Sequence, residues 1–136
     1  MDTPSPWIRD LARKLRAASQ NTSAPHVQDE VVNEKLRLTL TKLAGTEGFA
    51  SLLRRALLQS SAEVPALQSA RVDADGRLQG FEQVAVASGT TVAEEAAVAV
   101  MAHLLALLVI FIGEPLTLRL VRDTLPDIGR IELDAE

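Results

Sequence analysis

The sequence predicts a mainly α-helical fold, a small bundle of four to five helices with a central apolar helix and a minor β-hairpin near residues 70–80. Aromatic residues make up only 3% of the chain and tyrosine is absent, so leucine, valine and alanine must form the core, as is typical of closely packed helices. Several segments repeat apolar residues at spacings of three and four. From residue 96 to residue 113 the only polar side chain is His103, which indicates a helix enclosed by others.

The chain of 136 residues fits one domain and has no cysteine, which excludes disulfides and thiolate chemistry. No phosphate-binding, nucleophile or metal-ligand motif is present, so we expect no cofactor and no metal. A net charge of −4 gives no overall attraction to nucleic acid or anionic lipid. The first residues lack a continuous apolar leader, and we expect a cytoplasmic protein.

We divide the chain into a basic amphipathic helix over 1–19 with a linker to about residue 26, a helical core over 27–128 and an acidic tail over 129–136.

The first helix predicts a partner-binding surface. Ile8, Leu11 and Leu15 recur at helical spacing and form one apolar stripe. A basic face beside an aromatic ring is formed by Trp7, Arg9, Arg13 and Arg16. Such a face can bind an anionic membrane, phosphates or an acidic protein, or it can be a solvated surface with Trp7 in the core. Nucleic acid is disfavoured because the basic residues are few. The polar stretch "SQNTSAP" that follows predicts a tether between this helix and the rest.

Residues 27–44 favour a helix, because their acidic start, basic end and following Gly45 match helix polarity and capping. Leu36, Leu38 and Leu40, however, alternate with polar residues, as in a strand, so that alternative stays open. Thr46 is placed to cap the next helix, over 47–61.

Two shorter segments follow. Val72 and Leu78 flank Asp75-Gly76, a dipeptide typical of a tight hairpin turn. Residues 82–89 do not favour one secondary structure over another.

The long apolar helix is predicted to begin at Thr91, which has capping-box spacing to Glu94, and to end near Gly113. Pro115 either kinks this helix or begins a last one over 115–125. Eighteen residues span about 27 Å, just enough for a hydrocarbon core of about 30 Å. His103 in the middle of the run and glutamates at both ends favour shielding by protein instead. We expect part of this helix and "PLTLRLV" to pack against a second copy.

The pair with the most chemical potential is His103 and Glu114. A histidine and a carboxylate in apolar surroundings could exchange protons with a ligand, yet along a straight helix they would lie about 16 Å apart. We therefore favour structural roles, with His103 hydrogen-bonded in the core or at an interface, and Glu114 at a helix cap or in an ion pair. The residues that we assign to assembly, or alternatively to a pocket, are His103, Leu107, Phe111, Glu114, Arg119 and Arg122.

These features predict a non-enzymatic protein–protein interaction or regulatory subunit. It would assemble through its apolar C-terminal helices, as a homo-oligomer or within a complex, and present its N-terminal helix to a protein partner. One alternative is a small-molecule sensor or enzyme with a pocket near His103 and Glu114. The other is a membrane-associated protein anchored by residues 96–113.

Overall fold

The computed structural model describes residues 4–21, 34–74 and 76–124; of these, the side chains at 16–21, 34–35 and 123–124 are not described. Its elements in chain order are α1 (Pro6–Asn21), α2 (Glu34–Glu63), a 3₁₀ helix (Pro65–Ser69), β1 (Arg71–Val72), β2 (Leu78–Gln79), α3 (Phe81–Ser88), α4 (Thr90–Ile112) and α5 (Glu114–Thr124). The predicted mainly α fold is confirmed, because in the described ranges the other four α-helices pack around α4 and a two-stranded antiparallel sheet accompanies them.

Helix α4 is the centre of the bundle. It contacts α1, α2, α3, α5 and the 3₁₀ helix, and every side chain from residue 96 to residue 105 is buried. Ala96, Ala97, Ala99 and Ala102 have small side chains that let neighbouring helices approach closely. An apolar surface around the whole helix is stable here because other helices cover it on several sides.

Glycine breaks divide the helical chain. Helix α2 contains a non-helical residue, Gly45 (φ 83°, ψ 161°), and nearly the same backbone geometry occurs at Gly89 and Gly113, which precede α4 and α5. Residues with a side chain strongly disfavour this geometry, whereas glycine adopts it readily. Each break therefore lets one helix end and the next begin in a new direction after a single residue.

The leucine alternation before Gly45 belongs to a helix, so the strand alternative is wrong. Leu36 and Leu40, which are four residues apart, are both buried, whereas the Leu38 side chain is 47% exposed. In a strand all three would lie on one face. The described part of the helix predicted over 27–44 begins at Glu34, and the first seven predicted residues lie outside the described ranges.

The hairpin forms where the turn dipeptide predicts it, with Val72 paired to Leu78. The Asp73 carboxylate accepts hydrogen bonds from the Arg77 backbone amide (3.0 Å) and the Gln79 side-chain amide (2.9 Å), while Asp75 lies outside the described residues. At Gly76 a Cβ atom would lie 2.8 Å from the ring of Phe49. The turn therefore packs directly on α2.

Two boundaries differ from expectation. Residues 82–89, which the sequence left undecided, form most of α3, with Phe81 and Val84 buried. Helix α4 begins at Thr90 behind Gly89, and no side chain caps it, so the predicted capping box at Thr91 and Glu94 is wrong. The glycine break supplies the change of direction at this point without a capping side chain.

Helix α1 packs against α4 and shares its core. The apolar stripe predicted from spacing, which comprises Ile8, Leu11 and Leu15, is buried, and so is Ala12. Helix α1 extends to Asn21, so Gln20 and Asn21, which the sequence assigned to the linker, are helical; the rest of the predicted linker and the acidic tail lie outside the described residues. The division of the chain into these segments stays a prediction, but the apolar face of α1 is part of one continuous cluster with α2 and α4.

Candidate functional site

His103 is held by two side chains from α2. Its ring Nδ1 lies 3.1 Å from Gln59 Oε1 and its Nε2 lies 3.1 Å from Glu63 Oε1. Gln59 and Glu63 are four residues apart, so they project from the same face of α2 toward α4. Because an ionised carboxylate only accepts hydrogen bonds, His103 Nε2 donates to Glu63.

Glu63 also ties α1 to the bundle. Arg9 Nη2 donates to Glu63 Oε2 at 2.8 Å, while the other carboxylate oxygen accepts from His103. Burial raises the pKa of Glu63, but the hydrogen bonds from His103 and Arg9 outweigh it, and the pKa lies below its ordinary value. The ionised carboxylate thus joins α1, α2 and α4. We call Arg9, Glu63, His103 and Gln59 the His103 network.

The hydrogen-bonding groups of the His103 ring all have partners within the protein. Both ring nitrogens have protein partners and the residue is only 4% exposed, so the imidazole is almost fully shielded from solvent. Glu114 lies at the exposed start of α5, and the carboxylate that contacts His103 is that of Glu63. The candidate pair His103 and Glu114 is not brought together. Of the two structural roles expected for His103, the structure supports the hydrogen-bonded core residue.

Beside the network, α1, the end of α2 and the start of α4 enclose an open groove of about 590 Å³. We call it the α1–α4 groove. Its lining residues are Arg9, Arg13, Glu63, Val64, Glu94, Glu95, Val98 and Ala99. Arginines line it from α1 and carboxylates line it from α2 and α4. The groove therefore presents both signs of charge together with apolar side chains.

The basic face of α1 is only partly available to a partner. Arg9 is paired with Glu63, Arg13 is exposed at the groove, and the Arg16 side chain lies outside the described set. Trp7 is exposed at 38% and is thus not a core anchor. Arg13 and Trp7 are the parts of this face that the structure leaves open to solvent.

The C-terminal candidates divide between core and surface. Leu107 is buried, whereas Phe111 is 64% exposed and its neighbour Ile110, which the sequence pattern did not single out, is 76% exposed. Leu116, on the first turn of α5, is also exposed. We call Ile110, Phe111 and Leu116 the α4–α5 patch. The remaining candidates Glu114, Arg119 and Arg122 are exposed on α5.

Two further observations concern metal binding and membrane insertion. Among residues 4–21, 34–74 and 76–124, no cluster of three or more histidine or acidic side chains could hold a metal ion. In the same ranges one helix, α4, is long and apolar enough to cross a bilayer, and 67% of its most apolar eighteen-residue window is buried inside the protein. A core helix has this same property. The chain matches no family model, no curated protein and no solved structure.

Proposed function

We propose that this protein is a non-enzymatic interaction or assembly subunit that forms a two-fold homodimer through the α4–α5 patch. The observation that supports the proposal most is the exposure of Ile110 and Phe111, two large apolar side chains adjacent on the last turn of the core helix. Burying one such side chain is worth roughly 1.5–3 kcal/mol, and a two-fold interface buries each residue twice. Leu116, which is 40% exposed, follows on the first turn of α5, just after the glycine break.

The charges around the patch favour a second copy as its occupant. Helix α5 has Glu114 in its first turn and the exposed cations Arg119 and Arg122 toward its end. When two copies of α5 pack antiparallel across a two-fold axis, each acidic start faces the basic end of its partner. The dipoles of the two helices are then antiparallel, which is also a favourable arrangement. The surface is therefore complementary to itself in charge as well as in apolar character.

The other two functions that the sequence left open receive less support. Both ring nitrogens of His103 are already bonded to protein side chains, which disfavours proton transfer from this residue to a substrate. A membrane anchor at residues 96–113 would require α1, α2, α3 and α5 to leave a surface that they cover, at the cost of the apolar burial they provide.

Sedimentation velocity on the full chain tests the proposal. The wild type is expected to dimerise at micromolar concentrations, and Phe111→Ser is expected to shift it to monomer. Leu58→Ser is the matched control, because Leu58 is equally apolar and 73% exposed but lies on α2. Circular dichroism establishes that each variant keeps its helix content.

Charge reversal supplies a second readout. Glu114→Arg alone should weaken the dimer by like-charge repulsion, and combining it with Arg119→Glu and Arg122→Glu should restore it. A wild type that stays monomeric up to several hundred micromolar refutes the proposal. Equal weakening by Leu58→Ser and Phe111→Ser also refutes it, because the loss would then not belong to the patch.

A further inference from the structure

The α1–α4 groove has the size of a small-ligand site. Its volume of about 590 Å³ lies within the range of roughly 300–1,000 Å³ that is typical of such sites. Three helices form it, with Val64, Val98 and Ala99 as its apolar part. It lies at the opposite end of α4 from Ile110 and Phe111, so it is a surface separate from the proposed dimer interface.

The charges of the groove are arranged by sign. Arg9 and Arg13 lie one helical turn apart on α1, and Glu94 and Glu95 lie in the first turns of α4. Arg9 is neutralised by Glu63 at 2.8 Å. Arg13 and Glu95, which are both exposed, then present a cation from one helix and an anion from another.

The His103 network gives the groove a fixed wall. Glu63 is bonded through one oxygen to Arg9 and through the other to His103, which is anchored in the core and also contacts Gln59. A leucine at position 103 would fill the core without a polar partner, whereas the imidazole orients a carboxylate at the groove. Arg9 and Glu63 are thus held before a ligand binds, so this wall of the groove loses little entropy on binding.

We infer that the α1–α4 groove binds a small zwitterion, with its ammonium group against Glu95 and its carboxylate against Arg13. A cation and an anion that line one groove together with apolar side chains match a ligand with two opposite charges joined by a methylene chain. A ligand with only a positive charge would pair with Glu95 alone, and a ligand with only a negative charge would pair with Arg13 alone. Both contacts are charge-assisted hydrogen bonds, which are stronger than neutral ones.

Nuclear magnetic resonance titration of the ¹⁵N-labelled full chain tests the inference with defined probes. The zwitterions γ-aminobutyrate and ε-aminocaproate differ in chain length, and hexylamine and caproate each supply one charge alone. We expect saturable shifts at the backbone amides of residues 9–13 and 94–99 with at least one zwitterion. Each single-charge probe should bind about tenfold more weakly, since it lacks one charge-assisted contact.

Variants assign the two contacts. Arg13→Gln and Glu95→Gln should each weaken the zwitterion by about tenfold, and Arg55→Gln, at an exposed arginine of α2, should not change the affinity. All three positions are exposed, so the fold is expected to persist, and the unchanged remainder of the spectrum establishes it. The inference is overturned by the absence of saturable shifts with both zwitterions, by equal binding of the single-charge probes, or by unchanged affinity in both groove variants. None of these outcomes bears on the dimer.

Discussion

His103 shows how a single polar residue can connect three helices. It is buried among apolar side chains, and its partners Gln59 and Glu63 lie 44 and 40 residues earlier in the chain. The sequence could predict that the imidazole is hydrogen-bonded, because a buried polar group almost always is. It could not predict the partner, since residues this distant become neighbours only through the packing of α2 on α4.

Replacing His103 should measure the strength of the network. His103→Ala removes the imidazole and leaves a cavity, and we expect the free energy of unfolding to fall by about 2–3 kcal/mol. His103→Leu fills the space, and because Glu63 is 38% exposed and can rehydrate, its cost should be about 1 kcal/mol. Urea denaturation at one fixed protein concentration measures both. A loss for His103→Ala within about 0.5 kcal/mol of zero, the range of ordinary surface substitutions, would show that the network contributes little.

Glu63 should make stability depend on acidity. Its pKa is lower in the folded chain than its ordinary value of about 4.3, so its carboxylate stabilises the fold fully above that pH and loses this contribution as the pH falls through the lower folded value. Near neutral pH we expect the free energy of unfolding of the wild type to be higher than that of Glu63→Gln by a few tenths to about 1 kcal/mol. The difference is small because the ion pair between Glu63 and Arg9 is partly solvated. In urea denaturation across a pH series the difference should shrink below about pH 4. A difference that persists unchanged on acidification would exclude this linkage.

At the scale of the element, the local sequence pattern predicted most helices and the hairpin. The prediction failed where one pattern fitted two structures. The apolar spacing of α1, the continuous apolar run of α4 and the turn dipeptide Asp75-Gly76 each predicted the element that forms. The alternation at Leu36, Leu38 and Leu40 did not distinguish helix from strand, because two of the three positions also fit a helix and only burial distinguishes the third. Likewise Thr91 matched a capping box, but the glycine before the helix makes that cap unnecessary.

Substitution of the same leucines tests the helical register before Gly45. Leu40→Ala should cost about 2–4 kcal/mol because its side chain is only 1% exposed, whereas Leu38→Ala should cost less than about 1 kcal/mol. The two variants delete the same atoms two positions apart, so each is the control for the other. Equal costs would indicate that both leucines face the core, as they would in a strand.

At the scale of the whole molecule, the arrangement follows from one very apolar helix that the others must cover. Composition and the run around His103 predicted a central helix, and the structure places four helices against it. Neither composition nor spacing could predict that coverage ends at the last turn, because which residues of an all-apolar helix remain exposed depends on the lengths and angles of its neighbours. The exposure of Ile110 and Phe111 is therefore a structural finding, although the sequence had already assigned Phe111 to assembly, and the proposed assembly rests on this exposure.

Hydrogen exchange on the full chain in water, without detergent or lipid, tests the central claim that α4 is shielded by its own protein. We expect the amides of residues 96–108 to be the slowest to exchange at every protein concentration. The amides around Ile110 and the start of α5 should become slower as concentration rises and the second copy covers them. Rapid exchange across residues 96–108, or protection that appears only when detergent or lipid is added, would contradict the account.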